Sequence, residues 1–127
     1  MLVERATNEE RMVTVELIHK ELVDILKVKE TEITIKNNES FKEDIQTHLL
    51  KSRQHIILDL ENVKYLNSTS LGVIADAAMK AKKEGKELVI SGVKPPLDEI
   101  FTIVRFHTFM GLYKTIEEAE NYFQTLI

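Results

Sequence analysis

Between Met12 and Ile35 the apolar positions come in short clusters of Val, Ile and Leu with threonines among them, broken by the charged steps "HKE" at 19–21 and "VKETE" at 28–32. That patterning predicts two or three short strands. No Asn-Gly or Gly-Gly pair marks the turns between them. In "NNESFKEDIQTHLLKS" the period changes: Phe41, Ile45 and Leu49 stand four residues apart, one stripe of an amphipathic helix, with Asn37 or Asn38 as its cap. "HIILDLENV", His55 to Val63, is a compact apolar run that predicts a strand buried on both faces.

After four small polar residues at 67–70, Leu71, Ile74, Ala75, Ala78 and Ala81 share one side of a helical wheel. This helix is expected to stop at Gly85, behind the lysines of "KAKKEGK". "ELVISGV" predicts another strand, closed by Gly92, Pro95 and Pro96, with Pro96 as the first residue of a helix carrying Leu97, Ile100, Phe101 and Val104. A brief strand is expected around Thr108 to Leu112. In "TIEEAENYFQTLI", Thr115 and Glu118 have capping-box spacing, and Ile116, Ala119, Phe123 and Leu126 form the buried stripe of a last helix. Strand and helix alternate through most of the chain, which predicts an α/β domain. Helices should pack on a mostly parallel sheet, joined by an antiparallel strand or hairpin from the N-terminal part.

The 127 residues suffice for one hydrophobic core and are too few for two. The expected organisation is an N-terminal extension over 1–11 and one domain over 12–127. With 43% apolar and 30% charged residues and a net charge of -4, the chain has no excess of cations to meet a phosphate backbone, so no nucleic-acid partner is expected. No apolar run is long enough to span a bilayer, and "MLVERATNEERM" carries charges where a signal peptide needs an apolar core. The expectation is a cytoplasmic protein without membrane insertion. Cysteine is absent, which removes disulfides, thiolate nucleophiles and cysteine-bound metals.

Catalytic signatures are missing as well. There is no GxGxxG, no GxxxxGK[ST], no GxSxG elbow and no HExxH, and His19, His48, His55 and His107 lie far apart in sequence. Paired acids such as Glu117 and Glu118 fall at a helix start, where they favour the macrodipole. The lysines at 80, 82, 83 and 86 lack interleaved aromatics and read as a solvated helix end. A non-enzyme with no metal and no cofactor is the expectation.

What remains is "YLNSTSLG", where Asn67, Ser68, Thr69 and Ser70 separate an apolar run from a long helix. Short oxygens there cap the first helical turn, yet one cap residue suffices. A serine on a loop feeding a helix start is also exposed to a kinase, and phosphate would add about 1.5 to 2 negative charges. Cap and switch both stay open on the residues alone.

The stretch "HIILDLENVKYLNSTSLGVIADAAMKAKKEGKELVISGVKPPLDEIF" resembles the STAS domain of bacterial anti-sigma-factor antagonists, in which a strand ending in an acid leads to Asp-Ser-Ser/Thr-Gly-Leu-Gly at the head of a long helix. The resemblance runs from Met12 to about Phe123. It implies a mixed sheet of four to five strands with an N-terminal antiparallel strand or hairpin and about four helices, mainly on one side. It places the family's phosphorylated serine on Ser68, with Thr69 the alternative hydroxyl. Asn67 stands for the family's acid, Ser70 for its first glycine, and Thr34 for an acid near the end of the second strand.

Such proteins bind an anti-sigma factor that is itself a serine kinase, free the sigma factor, and are switched off by phosphorylation; a serine phosphatase is the further partner implied. Asn67, Ser68, Thr69, Ser70, Val73 and Ala77 are expected to form the partner surface, with Val73 and Ala77 as an exposed apolar strip. Two other readings are a non-switching STAS scaffold subunit in a signalling or lipid-transport assembly, and a domain that holds a nucleotide on the amides of this helix start.

Overall fold

The computed structural model describes residues 14–108 and 110–127. The expected extension over 1–11 lies outside the described residues. Strands β1 (Val15–His19) and β2 (Val23–Val28) form the antiparallel hairpin, in register from Val15 opposite Val28 to His19 opposite Asp24. With no special turn residues, side chains hold its corner. His19 Nδ1 lies 2.6 Å from Asp24 Oδ1, and Gln54 donates to the Lys20 carbonyl at 2.7 Å and to Asp24 at 3.0 Å. Burial raises the Asp24 pKa, but hydrogen bonds from Ser52, Gln54 and His19 outweigh it and hold the carboxyl below its usual value.

β4 (His55–Asp59) pairs parallel with β2, β6 (Leu88–Ser91) with β4, and β7 (Leu112–Tyr113) with β6, giving one sheet in the order β1-β2-β4-β6-β7. Alternate residues of the central strands point to opposite faces. Leu26, Val28, Ile56, Leu58, Leu88 and Ile90 meet helices α1 (Asn38–Lys51), α2 (Ser68–Lys83) and α3 (Leu97–Ile103) on one side. Val23, Ile25, Ile57 and Val89 lie under α4 (Ile116–Gln124) on the other. Three helices on one face and one behind match the expected layout.

Local chemistry explains most element ends. Phe41, Ile45 and Leu49 are buried, as their spacing predicts. α2 stops at a Schellman turn: the Lys86 amide donates to the Ala81 carbonyl and the Gly85 amide to the Lys82 carbonyl, with Gly85 at φ +77°. Thr115 caps α4 by accepting the Glu118 amide at 3.0 Å. α4 is fastened from beneath, where the Tyr122 hydroxyl donates to the Glu87 carboxylate at 2.7–2.8 Å and Phe123 stacks on His55.

Several expectations need correction. Asn37 holds the N-cap position of α1, as expected, but its side chain does not cap the first turn; its Oδ1 accepts the Thr34 amide and its Nδ2 donates to the Glu32 carbonyl, closing the preceding turn. Pro96 is the N-cap of α3, not its first residue, and Val104 is exposed beyond its end. The strand expected at 108–112 is shorter and later, because a 3₁₀ turn (Phe106–Thr108) precedes it. Leu126 is exposed because α4 ends at Gln124.

Candidate functional site

The polar quartet sits where two short parallel strands deliver the chain to α2. β3 (Glu32–Ile33) pairs with β5 (Tyr65–Leu66), and the Asn67 amide continues that ladder by donating to the Ile33 carbonyl at 3.1 Å. Two residues per strand are too few for a readable alternation, so this ladder has no signature in the sequence. Upstream, the end of β4 is clamped. Asp59 is buried, accepting from Lys27 Nζ at 3.0 Å and from Ser91 Oγ at 2.9 Å. The hydrogen bond to Asp59 raises the Lys27 pKa above its usual value, against a smaller opposing effect of burial. A Cβ on Gly92, at φ +79°, would come within 2.8 Å of both Asp59 Oδ1 and the Glu61 amide, so the chain crosses there only as glycine.

At the helix start Asn67 is extended (φ -78°, ψ 173°) and its Oδ1 accepts the Ser70 amide at 2.9 Å. Ser70 closes the turn: its hydroxyl donates to the Asn67 carbonyl at 2.8 Å, and its side chain is fully buried. These two residues satisfy each other. Ser68 and Thr69 are exposed, and their hydroxyls have no hydrogen-bond partner among the described residues. The first turn of α2 contains no acid, so the positive end of its dipole is uncompensated by side chains. Thr34 stands next to this turn through its neighbour Ile33.

The predicted partner residues therefore separate. Asn67 is half-buried and Ser68 and Thr69 lie at the surface, but Ser70 cannot present its side chain to a partner. The apolar strip is also placed differently from expectation. Ala77 is 3% exposed and Ala75 is the half-buried one, the reverse of the expected assignment. α1 lies against the Ala77 side of α2, and Val73 and Ala77 line the groove between the two helices. On the flank below Ser68, at helical spacing, come Gly72, Ala75 and Met79. Met79 is 56% exposed, and a Cβ on Gly72 would meet nothing within 4 Å. The fold has no steric use for that glycine, although glycine inside a helix costs about 0.5–1 kcal/mol relative to alanine. The ridge Ser68, Gly72, Ala75, Met79 is the accessible, small-residue surface beside the serine.

The histidines are dispersed among structural roles: His55 Nδ1 accepts the Glu87 amide, and His48 Nε2 lies 3.2 Å from the Val15 carbonyl. Among the described residues there is no cluster of acids and histidines suited to a metal, and no helix long and apolar enough to cross a membrane.

The chain and its fold are similar to those of known proteins. Residues 14–119 match the STAS domain family, and the chain belongs to it. The chain is 26% identical over 91 residues to BtrV of Bordetella bronchiseptica, named as an anti-sigma factor antagonist, covering 72% of this chain and 78% of that one. Its fold is similar to that of an anti-sigma factor antagonist from Mycobacterium paratuberculosis, with TM-score 0.79 at 19% identity over 91% of this chain and 97% of that one. It is also similar to the anti-sigma factor antagonist SpoIIAA in its unphosphorylated form, with TM-score 0.71 at 15% identity over 89% and 98% of the two chains.

Proposed function

We propose that this STAS domain is a phosphorylation-switched anti-sigma-factor antagonist. In its unmodified form it binds an anti-sigma factor that is also a serine kinase, through the ridge headed by Ser68, and so releases the sigma factor. Transfer of the ATP γ-phosphoryl group to the Ser68 hydroxyl ends the complex, and a serine phosphatase restores it by hydrolysis. The domain acts in the cytoplasm, as a binding module and a substrate of modification, not as a catalyst.

One observation carries this reading: Asn67 and Ser70 complete the cap between them, leaving the Ser68 hydroxyl exposed and unengaged beside an exposed Gly72. A phosphate there would add about 1.5 to 2 charges to a surface of small and apolar groups, and a partner that buries the ridge would have to desolvate it. The names of BtrV and of the structural neighbours support the same reading. A non-switching scaffold is the second reading, favoured by the neutral Asn67 in place of an acid that a kinase reads.

The test is incubation with the anti-sigma-factor kinase of the same genome and ATP. One phosphate on Ser68, with Ser68→Ala still binding that kinase and Ser68→Asp losing it, supports the switch. A stable complex indifferent to Ser68→Asp supports the scaffold instead.

A further inference from the structure

Burial does not explain Ile35. Its side chain is 86% exposed, and turns favour Gly, Pro, Asn, Asp and Ser over a β-branched residue. Yet the turn that carries it is firmly held. The Thr34 amide donates to Asn37 Oδ1 at 2.8 Å, and the Lys36 amide to Thr34 Oγ1 at 3.2 Å. The Asn37 and Asn38 amides both donate to the Thr34 carbonyl, at 3.2 and 2.8 Å. Isoleucine is itself stiff at χ1. A stiff apolar side chain on a fixed turn loses little freedom when a partner covers it.

This turn adjoins Ser68. The Asn67 amide donates to the Ile33 carbonyl at 3.1 Å; from that hydrogen bond Ser68 is one residue along one strand and Ile35 two residues along the other. With 3.8 Å between consecutive Cα atoms, those of Ile35 and Ser68 are at most roughly 18 Å apart. A partner footprint of about 800 Å² is roughly 30 Å across, enough to cover both. Leu50 provides the contrast. It is 84% exposed but lies near the far end of α1, about 18 Å along the helix from Asn38. Single exposed apolar residues are common on proteins; a rigid turn beside Ser68 is what sets Ile35 apart.

We propose that Ile35 is an apolar anchor for the anti-sigma-factor kinase, seated in an apolar pocket of that partner within roughly 18 Å of its phosphate-donor site. The inference rests on the Ser68 switch proposed above: the partner whose nucleotide meets the Ser68 hydroxyl also reaches the turn over 34–37. Ile35 touches no reacting atom. Its loss therefore weakens binding without slowing transfer in the bound complex, so KM for the domain rises and kcat stays.

The test uses the full chain with the anti-sigma-factor kinase of the same genome, read by titration calorimetry and by the kinetics of phosphate transfer. Ile35→Ala should weaken the complex about tenfold and Ile35→Asp about a hundredfold, with KM rising in parallel and kcat within about twofold. Ile35→Val, one methylene smaller, should cost less than about fivefold. Leu50→Asp, an equally exposed site at the far end of α1, should change affinity by less than about twofold. Circular dichroism checks that each variant keeps its fold. A complex that Ser68→Asp disrupts but Ile35→Asp and Ile35→Ala leave intact would overturn the anchor alone. Equal losses for Leu50→Asp and Ile35→Asp, or a fall in kcat at unchanged KM, would overturn it too. No complex with the unaltered chain would overturn the switch itself and the anchor with it.

Discussion

At the start of α4, Thr115 accepts the Glu118 amide while Glu118 reaches back to the Lys114 amide at 3.1 Å, and Glu117 adds a second acid to the first turn. At the start of α2, Asn67 accepts the Ser70 amide just as well, but the next two positions hold exposed hydroxyls and the first turn has no acid. The caps are equivalent; the first turns behind them differ. In α4 the helix dipole is already met by carboxylates. In α2 no carboxylate of the first turn meets it. A cap alone therefore identifies a helix start, and the uncompensated, unengaged Ser68 beside it is what distinguishes a position suited to a switch.

The largest expected effect that would sharpen this contrast is on binding. Ser68→Asp should weaken the complex with the anti-sigma-factor kinase by about a hundredfold, read by titration calorimetry, because a desolvated carboxylate would face the partner. The same substitution should stabilise the isolated domain by about 0.3–1 kcal/mol in denaturant unfolding, since it supplies the missing acid to the α2 dipole. Opposite signs in the two measurements would separate a surface effect from damage to the fold.

Equivalence of the caps is tested next. Asn67→Ala and Thr115→Ala should each cost about 1 kcal/mol. A loss at Asn67 several times larger than at Thr115 would mean that the β3–β5 ladder depends on it as well. Gly72→Ala should stabilise the domain by about 0.5–1 kcal/mol, because the added Cβ meets open space, while weakening the partner complex.

The fastening of α4 should also weaken at high pH. Hydrogen bonding to Glu87, with burial and the Glu87 charge behind it, pushes the Tyr122 pKa up to about 12 from 10.0. The folded value is the higher one, so this contribution is complete below pH 10.0 and is lost as pH rises through about 12. The hydrogen bond that fastens α4 to Glu87 should be lost in that window. Tyr122→Phe should shrink the transition in a base titration followed by near-ultraviolet circular dichroism, leaving the contribution of Tyr113, whose pKa is also raised by burial and by the Glu87 charge.

Much of this arrangement is legible in the sequence. Apolar residues every fourth position in α1, the Thr115/Glu118 spacing and Gly85 after a lysine-rich turn each have one dominant physical outcome, and the fold shows it. The orientation of α2 is not legible in full. Leu71, Ile74, Ala78 and Ala81 fix the centre of its buried face, but Ala75 and Ala77 lie on either side of it with equal side chains. Only the placement of α1, a tertiary fact, buries Ala77 and leaves Ala75 half-covered. Ser70 is ambiguous for a related reason: a hydroxyl that bonds its own turn looks the same in sequence as one offered to a partner. The groove between α1 and α2 needs both helices in place and has no linear signature.

The most direct measurement is phosphate transfer from the partner kinase, followed in one reaction by intact mass and by complex size. The expected result is one added phosphate, on Ser68, with the complex dissolving as the phosphate appears and Ser68→Ala remaining bound throughout. A complex that persists while Ser68 is fully phosphorylated, or a phosphate found only on Thr69, would contradict the switch.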